Sequence, residues 1–326
     1  MKIKIYKNCS KYLSNILLTS NNKHWLQYNN QNIDLILDGG AFSGSYLLGG
    51  LIYIENISNH INISRISGTS VGSLFGLLFL SKLLCKYNYK FYKKFRKCFK
   101  KNGDLSVLKD CLDFIRKHIH DDFYKSCNNI FYITYFNIID KKQIIRYTYS
   151  GNDDLLSSVY KSCFIPLIIN GKISYENKYI DGVIPHIFPE KKDRKVLFMD
   201  LHSNYLSKMI NIKNETTNNS RILTGIFETH QFFMYGNSNL CFDIYYYKYY
   251  YKFIIFLRQY IAIKVISLLS IIQSFYYNKN DTNNSNDSND KNHRNTLYYY
   301  ITFYIIRHLK KIFPHIIKYI ANSYLV

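Results

Sequence analysis

Ser70 stands between two glycines in the pentapeptide G-T-S-V-G, which runs from Gly68 to Gly72. The pattern G-x-S-x-G is typical of a nucleophile elbow, where a serine sits on a sharp turn between a strand and a helix. Glycines are needed on both sides because the strained backbone crowds its neighbours. The segment I-N-I-S-R-I-S precedes Gly68 and the apolar segment S-L-F-G-L-L-F-L-S follows Gly72, which indicates a strand and a buried helix in the required places. The pattern therefore predicts a nucleophilic serine.

A second segment with chemical potential is D-G-G-A-F-S-G, Asp38 to Gly44, which follows the short apolar run I-D-L-I-L. Small residues at Gly39, Gly40 and Ala41 allow several backbone N–H groups to point at one spot. The helix expected after them adds positive potential there. This arrangement predicts an oxyanion hole or a phosphate-binding nest. A tight turn with close helix–strand packing is the simpler alternative.

A third segment places a carboxylate at the end of a strand. Asp181 follows the run I-S-Y-E-N-K-Y-I and precedes Gly182. A carboxylate at such a position can accept the proton of a serine hydroxyl. The alternative is an ordinary Asp-Gly turn, which is the commoner use of that dipeptide.

Predicted strands and helices alternate around these three segments. Helices are expected over 44–57 and 153–164, and strands over 130–138, 143–149 and 195–201. Alternation of this kind favours an α/β sandwich with a largely parallel sheet. Because such sheets carry their chemistry beyond the carboxyl ends of the strands, we expect the three segments to lie at one sheet edge.

In their order and spacing, Asp38–Gly44, Gly68–Gly72 and Asp181–Val183 resemble the glycine-rich loop, the G-x-S-x-G elbow and the D-G-G/A motif of the patatin-like phospholipases. S-C-F-I-P at Ser162–Pro166 resembles the A-S-x-x-I-P segment of that family. Y-I-T-Y-F-N-I-I-D resembles the strand before it, and Pro189 falls where the D-G-G-x-x-x-N-x-P pattern ends. The resemblance covers roughly residues 33–200.

The resemblance implies a three-layer α/β/α fold with a mostly parallel central sheet. It implies that a Ser70–Asp181 dyad cleaves fatty acyl esters of lipids through an acyl-enzyme, with Ser70 as nucleophile and Asp181 as general base. The amides of Gly39, Gly40 and Ala41 would form the oxyanion hole, and no metal or cofactor would be needed. Supporting positions in the motifs are Gly44, Gly68, Gly72 and Gly182.

Three residues depart from the family pattern, although none of them is a reacting group. They are Ala41 in place of the third loop glycine, Ser43 in place of a basic residue, and Val183 at the end of D-G-G/A. Two alternatives stay open. One is a catalytically inactive lipid- or membrane-binding protein of the same fold. The other is an α/β-hydrolase with a Ser–Asp–His triad that uses His202 or His230, which follow Asp181 in the chain.

The chain is strongly basic, with a net charge of +21 over 326 residues. Such a charge favours anionic partners, and because no nucleic-acid-binding motif accompanies it, an acidic membrane surface is the expected one. The seven cysteines are scattered, without C-x-x-C pairs, which predicts reduced thiols. No signal sequence is evident at the amino terminus. We therefore expect a cytoplasmic protein with peripheral membrane contact.

Composition divides the chain into five predicted regions. They are an amino-terminal extension (1–32), a catalytic core (33–200), a helical region (201–277), a disordered Asn/Asp-rich linker (278–295) and a basic amphipathic helix (296–326). Residues 253–275 carry an apolar stripe, with Arg258 among the polar residues away from it. This stripe predicts a core helix, an interfacial helix or, less favourably because of its cations, a membrane span.

Overall fold

A computed structural model describes residues 2–102, 104–166, 168–202 and 218–244, and seven positions further on (253, 254, 257, 258, 260, 261 and 264). The chain divides into two units, Met1–Ala262 and Ile263–Val326. Every contact given below lies within the first unit. The predicted linker at 278–295 and the predicted helix at 296–326 fall outside the described residues, as does most of the stripe at 253–275.

The centre of the sheet consists of parallel strands. β1 (Asn32–Leu37) pairs with β2 (Asn62–Thr69) on one side and with β6 (Arg194–Met199) on the other, parallel in both cases. Residues Ile33 to Leu37 are fully buried, which explains the nearly unbroken apolar run in a strand covered on both faces.

The outer strands add antiparallel pairing. β3 (Phe131–Asn137) runs parallel to β2 but pairs antiparallel with β4 (Lys142–Arg146) and with β5 (Tyr179–Asp181). β7 (Cys241–Phe242) pairs antiparallel with β6. The order is β4-β3-β2-β1-β6-β7, with β5 on β3.

Helices surround this sheet. α3 (Gly44–Asn56) leaves the end of β1 and packs against α1 (Lys2–Thr19) and α9 (Asn218–Tyr235), while α4 (Val71–Leu80) leaves the end of β2 and packs on that strand. The remaining helices of the described part are α2 (Lys23–Leu26), α5 (Leu84–Asn102), α6 (Val107–Arg116), α7 (Phe123–Cys127) and α8 (Asn152–Ser162). The prediction of an α/β fold with a mostly parallel sheet is confirmed, and the arrangement is consistent with three layers.

Alternate residues of β1 enter two buried clusters. Leu35 and Leu37 join the large apolar core beneath the helices, whereas Ile36 faces a smaller cluster with Phe188, Phe198 and Phe242. Among the described residues, no helix combines the length and hydropathy that crossing a bilayer requires.

Candidate active site

Ser70 occupies a strained turn between β2 and α4. Its backbone has φ 51° and ψ −130°, a region that non-glycine residues rarely adopt. Gly72 explains how the turn fits, because a Cβ there would lie 2.6 Å from the carbonyl oxygen of Asp38 and would also meet that of Leu37. The elbow is therefore packed directly against the end of β1. Ser70 is only 6% exposed.

Residues at the end of α8 hold the backbone of this turn. The Ser70 N–H donates to Ser162 Oγ at 2.9 Å, and the Ser70 carbonyl accepts from Cys163 Sγ at 3.0 Å and from Ser73 Oγ at 2.7 Å. The neighbouring Phe164 carbonyl accepts from the Asp181 N–H at 2.9 Å. The segment Ser162–Phe164 thus touches both predicted reacting residues. Sequence reasoning noted this segment only as a resemblance and gave it no role.

Asp181 reaches Ser70 because of the pairing of β3. On one edge of β3, Thr134 is the partner of Thr69 in β2, and the next residue, Tyr135, is the partner of Asp181 in β5. β2 and β5 therefore lie along the same edge of β3 and run in opposite directions. Their carboxyl ends meet there, one after the other. Gly182 allows this, since a Cβ there would clash with the Thr134 carbonyl.

The Asp181 carboxyl group is only half satisfied. Oδ1 accepts from the Val183 N–H at 2.9 Å, whereas Oδ2 is shielded from solvent and has no hydrogen-bond partner of ordinary geometry in the described part of the chain. Burial raises the pKa of Asp181 to about 6, against the smaller opposing effects of the Ser70 hydroxyl and the Val183 amide. A carboxylate with one unpartnered oxygen and a pKa close to neutral is well suited to accept a proton.

The loop after β1 lies beside the elbow. A Cβ on Gly39 would be 3.1 Å from Ser70 Cβ. The Gly39 N–H is already engaged, because it donates to Asp38 Oδ1 at 2.9 Å. The amides of Gly40 and Ala41 make no such bond within the described residues, and Ala41 has φ 44°. Of the three predicted oxyanion-hole donors, these two are the ones available.

Asp38 anchors the start of that loop. It is fully buried, and it accepts from His202 Nδ1 at 2.5 Å, Arg258 Nη2 at 2.8 Å and the Leu201 N–H at 3.3 Å. Burial acts to raise the pKa of Asp38, but Arg258 and His202 outweigh it and hold the pKa well below its usual range. Asp38, Asp200 and His202 also place potential metal-ligand atoms within 4.8 Å of one another. Because Arg258 already binds this carboxylate, the cluster is a poor fit for an added cation.

Both histidines considered for a triad are engaged elsewhere. His202 binds Asp38, and His230 Nδ1 lies 2.8 Å from the Tyr53 hydroxyl. In the part of the chain that the structure describes, neither hydrogen-bonds Ser70. This geometry favours the two-residue arrangement over a triad.

An apolar cavity opens beside Ser70. The empty space at the cavity is about 700 Å³, a volume that includes open solvent at its mouth. Its walls come from the loop after β1, α3, α4, α5, α6 and the segment after α8, and include Phe42, Leu48, Leu74, Phe95, Leu108 and Ile165. A cavity with this apolar lining suits a hydrocarbon group whose polar end lies at Ser70.

Comparison with known proteins gives one informative similarity. The chain is 27% identical over 238 residues to "Probable lipid hydrolase 463L" of Invertebrate iridescent virus 6. The aligned region covers 63% of this chain and 76% of that protein. No protein-family model matches the chain.

Proposed function

We propose that this protein is a lipid acyl hydrolase of the patatin-like type, which cleaves fatty acyl esters with a Ser70–Asp181 dyad. The observation that carries the proposal is the end-to-end meeting of β2 and β5, which sets Asp181 beside a serine on a strained elbow. The apolar cavity at Ser70 and the similarity to a viral protein named as a lipid hydrolase both support a lipid substrate.

In the acylation step, Ser70 Oγ attacks the ester carbonyl carbon while its proton passes to Asp181 Oδ2, the oxygen without a partner. The negative charge that develops on the carbonyl oxygen is stabilised by the amides of Gly40 and Ala41. Collapse of this intermediate breaks the ester C–O bond. The departing alcohol takes the proton from Asp181, and the acyl group stays on Ser70.

Deacylation repeats these steps with water. Asp181 removes a proton from a water molecule, whose oxygen attacks the acyl carbon. The Ser70 Oγ–acyl bond then breaks, and Ser70 recovers its proton from Asp181. A fatty acid is released and both residues return to their initial state, so one water is consumed per ester cleaved.

The decisive experiment compares Ser70→Ala with Ser67→Ala on a panel of lipid esters. Ser67 is a fully buried serine on β2, the strand that leads into the elbow, and its hydroxyl has no hydrogen-bond partner among the described residues, so it is a matched control. We expect Ser70→Ala to lower kcat by at least about 10³-fold, because no acyl-enzyme can form. Ser67→Ala should keep wild-type turnover.

Two results would change the assignment. Equal turnover in wild type and folded Ser70→Ala would move the nucleophile elsewhere. A wild-type protein that binds lipid vesicles but releases no fatty acid would favour the inactive lipid-binding alternative. Labelling of Ser70 by a fluorophosphonate probe separates the two, since it reports nucleophilicity without turnover.

We also propose that α5 brings the protein to anionic membranes. Phe95 of this helix lines the cavity, and Phe99 packs against Phe42 of the loop after β1, with ring centroids 5.3 Å apart. Lys93, Lys94 and Lys97 on the same helix are exposed. Basic side chains near an acidic surface contribute on the order of 1 kcal/mol each, which would hold the cavity near its substrate.

Vesicle co-sedimentation tests this proposal. Replacing Lys93, Lys94 and Lys97 with Glu should release the protein from phosphatidylserine vesicles, while turnover of a short soluble ester is unchanged. The control is the same change at three exposed lysines on other elements (Lys23, Lys191 and Lys192), which alters net charge equally. Equal loss of binding in both triple variants would show that net charge alone, and not α5, is responsible.

A further inference from the structure

Arg258 joins three separate segments through one guanidinium group. Its Nη2 donates to Asp38 Oδ1 at 2.8 Å and to the Val183 carbonyl oxygen at 3.1 Å, and it lies 3.5 Å from His202 Nε2. Its Nη1 lies 3.4 Å from Asp38 Oδ2. The side chain is 15% exposed and Asp38 is not exposed at all, so the pair is largely desolvated.

Two of these contacts are adjacent to the predicted chemistry. Asp38 immediately precedes Gly39, Gly40 and Ala41, and its Oδ1 accepts from the Gly39 N–H as well as from Arg258. Val183 donates its own N–H to Asp181 Oδ1 while its carbonyl accepts from Arg258. A single side chain therefore links the loop that carries the oxyanion donors to the turn that carries the general base.

We propose that Arg258 is a positioning residue that fixes the distance between the Gly40–Ala41 amides and the Asp181 carboxylate. The inference rests on the proposed function, because it assigns those groups their roles. Among the described residues, Arg258 makes no hydrogen bond to Ser70, and it is not one of the residues that line the cavity. It acts through Asp38 and Val183.

The planar guanidinium explains why arginine is suited to this task. It offers several donors in a fixed fork, so it can bind a carboxylate and a carbonyl at the same time, whereas a lysine ammonium is a flexible point charge. A second arginine holds the far end of the loop, since Arg221 Nη1 donates to the Phe42 carbonyl at 2.8 Å. Arg258 differs from Arg221 in that it hydrogen-bonds to both the loop, at Asp38, and the Asp181 turn, at Val183.

The test needs a control that breaks an equivalent ion pair away from the site. Asp34, near the start of β1, is also fully buried and also has two basic partners, Arg65 and Arg194. Arg65→Met leaves Asp34 with Arg194, and Arg258→Met leaves Asp38 with His202. We expect Arg258→Met to lower kcat on a short soluble ester about 10- to 100-fold, as small displacements of reacting groups do, with KM changed less than about threefold.

Arg65→Met should lower thermal stability comparably but leave kcat within about threefold of wild type. Arg258→Lys should recover part of kcat, because the lysine keeps a positive charge beside Asp38. It cannot bind Asp38 and the Val183 carbonyl at the same time. Equal kcat losses in Arg65→Met and Arg258→Met would overturn the positioning role and leave only a general effect on stability.

Amide hydrogen exchange gives a readout that does not depend on activity. Arg258→Met should speed exchange in peptides that cover 38–44 and 181–186, and Arg65→Met should not. Unchanged exchange at those peptides would reject the link. If the wild type shows no Ser70-dependent hydrolysis, the proposed function fails, and the exchange comparison still decides whether Arg258 joins the two segments.

Discussion

The two ends of β1 carry the same kind of group with different consequences. Asp34 and Asp38 are both completely buried, and each is bound by two basic side chains. The partners of Asp34 are Arg65 and Arg194 on the neighbouring strands. Asp34 is the partner of Arg65 in the pairing of β1 with β2. In the pairing of β1 with β6, Arg194 lies two residues before Val196, the partner of Asp34. Sheet pairing alone brings these three together.

The partners of Asp38 come from outside the sheet. His202 follows the end of β6, and Arg258 lies 220 residues after Asp38 in the chain. At this end the ion pair also holds the loop that carries the Gly40 and Ala41 amides, so its loss is expected to affect chemistry as well as stability. Two equally buried aspartates therefore need not have the same role. The role of each depends on the segment that its ion pairs hold in place.

The largest expected effect comes from Asp181→Asn set beside Asp34→Asn. Asp181→Asn should lower kcat by at least about 10³-fold, because the amide cannot accept the Ser70 proton. It should also stabilise the fold at neutral pH, because it removes a charge with an unpartnered oxygen. Asp34→Asn should have the opposite effects. It should lower the free energy of unfolding by about 3 kcal/mol, because it removes the buried carboxylate that pairs with Arg65 and Arg194, and leave kcat nearly unchanged.

Urea unfolding and soluble-ester turnover of both variants check this pair of opposite effects. An equal loss of turnover in Asp34→Asn and Asp181→Asn would contradict the difference between the two ends of β1, since the amino end would then also support the chemistry. A destabilised Asp181→Asn would show that the carboxylate is satisfied by a partner in the native protein.

The next effect is a pH dependence confined to the carboxyl end. Since the Asp181 pKa is about 6 and the base must be ionised, kcat/KM should rise with pH through 6 and level off above 7. At pH 5 it should be about tenfold below the plateau. Asp34→Asn should show the same profile. A flat profile between pH 5 and 8 would remove Asp181 as the base.

The same shift has a consequence for stability, with the opposite sign. A carboxyl group whose pKa is raised on folding stabilises the native state below its unfolded pKa, and that contribution is lost as pH rises through 6. The gain from Asp181→Asn should therefore be larger at pH 8 than at pH 4.5, by about 1 to 2 kcal/mol. The residue keeps some exposure, which limits the effect to this size.

A smaller effect is expected at Ser162, which binds the backbone of the elbow. Ser162→Ala leaves the buried Ser70 N–H without its partner, which should cost about 1 to 3 kcal/mol and lower kcat roughly tenfold. Ser158→Ala is a matched control on the same helix, because Ser158 is also buried and, among the described residues, its hydroxyl donates only to the helix carbonyl of Asp154 at 2.9 Å.

Ser158→Ala should leave kcat unchanged and alter stability by less than about 1 kcal/mol. If both serine variants lower kcat alike, α8 as a whole supports the site. The hydrogen bond from the Ser70 N–H to Ser162 Oγ would then make no separate contribution to kcat.

The sequence predicted the parts of the site that depend on local constraints. Glycines around Ser70 are required by a backbone that packs within its own turn and against the end of β1, so spacing alone indicated the elbow. The fold followed from alternating apolar runs, because the burial of parallel strands on both faces leaves a clear pattern. The alignment of β5 with β2 depends on register along β3 and had no local signal.

Contacts distant in the chain were not predicted. Ser162 and Ser70 are 92 residues apart, and Arg258 and Asp38 are 220 apart. One signal did exist for Arg258, a cation within the apolar stretch 253–275, where burial without a partner would be costly. Sequence reasoning used it only against a membrane span and placed Arg258 away from the apolar stripe.

The smallest expected effect concerns strain, which also differs between the two sheet edges. At the amino edge, the residues with positive φ before β1 and β3 are Asn30 and Asn129, a residue type that tolerates this conformation. At the carboxyl edge they are Ala41, Ser70 and Val183, which do not. Ala41 and Val183 are also positions where the patatin-like pattern has a small residue, usually glycine.

Val183→Gly should therefore raise the free energy of unfolding by about 1 kcal/mol. The φ of 59° costs a β-branched residue about 1 to 3 kcal/mol, and the greater freedom of glycine in the unfolded chain offsets part of the relief. Ala41→Gly should give about half as much, and both variants should keep kcat within a few fold.

The matched control is Val107→Gly at the first residue of α6, where glycine should destabilise by about 1 kcal/mol. Urea unfolding of the three variants measures the sign directly. Destabilisation by Val183→Gly as large as that of Val107→Gly would show that the carboxyl edge is no more strained than an ordinary helix start, and this part of the contrast between the edges would fail.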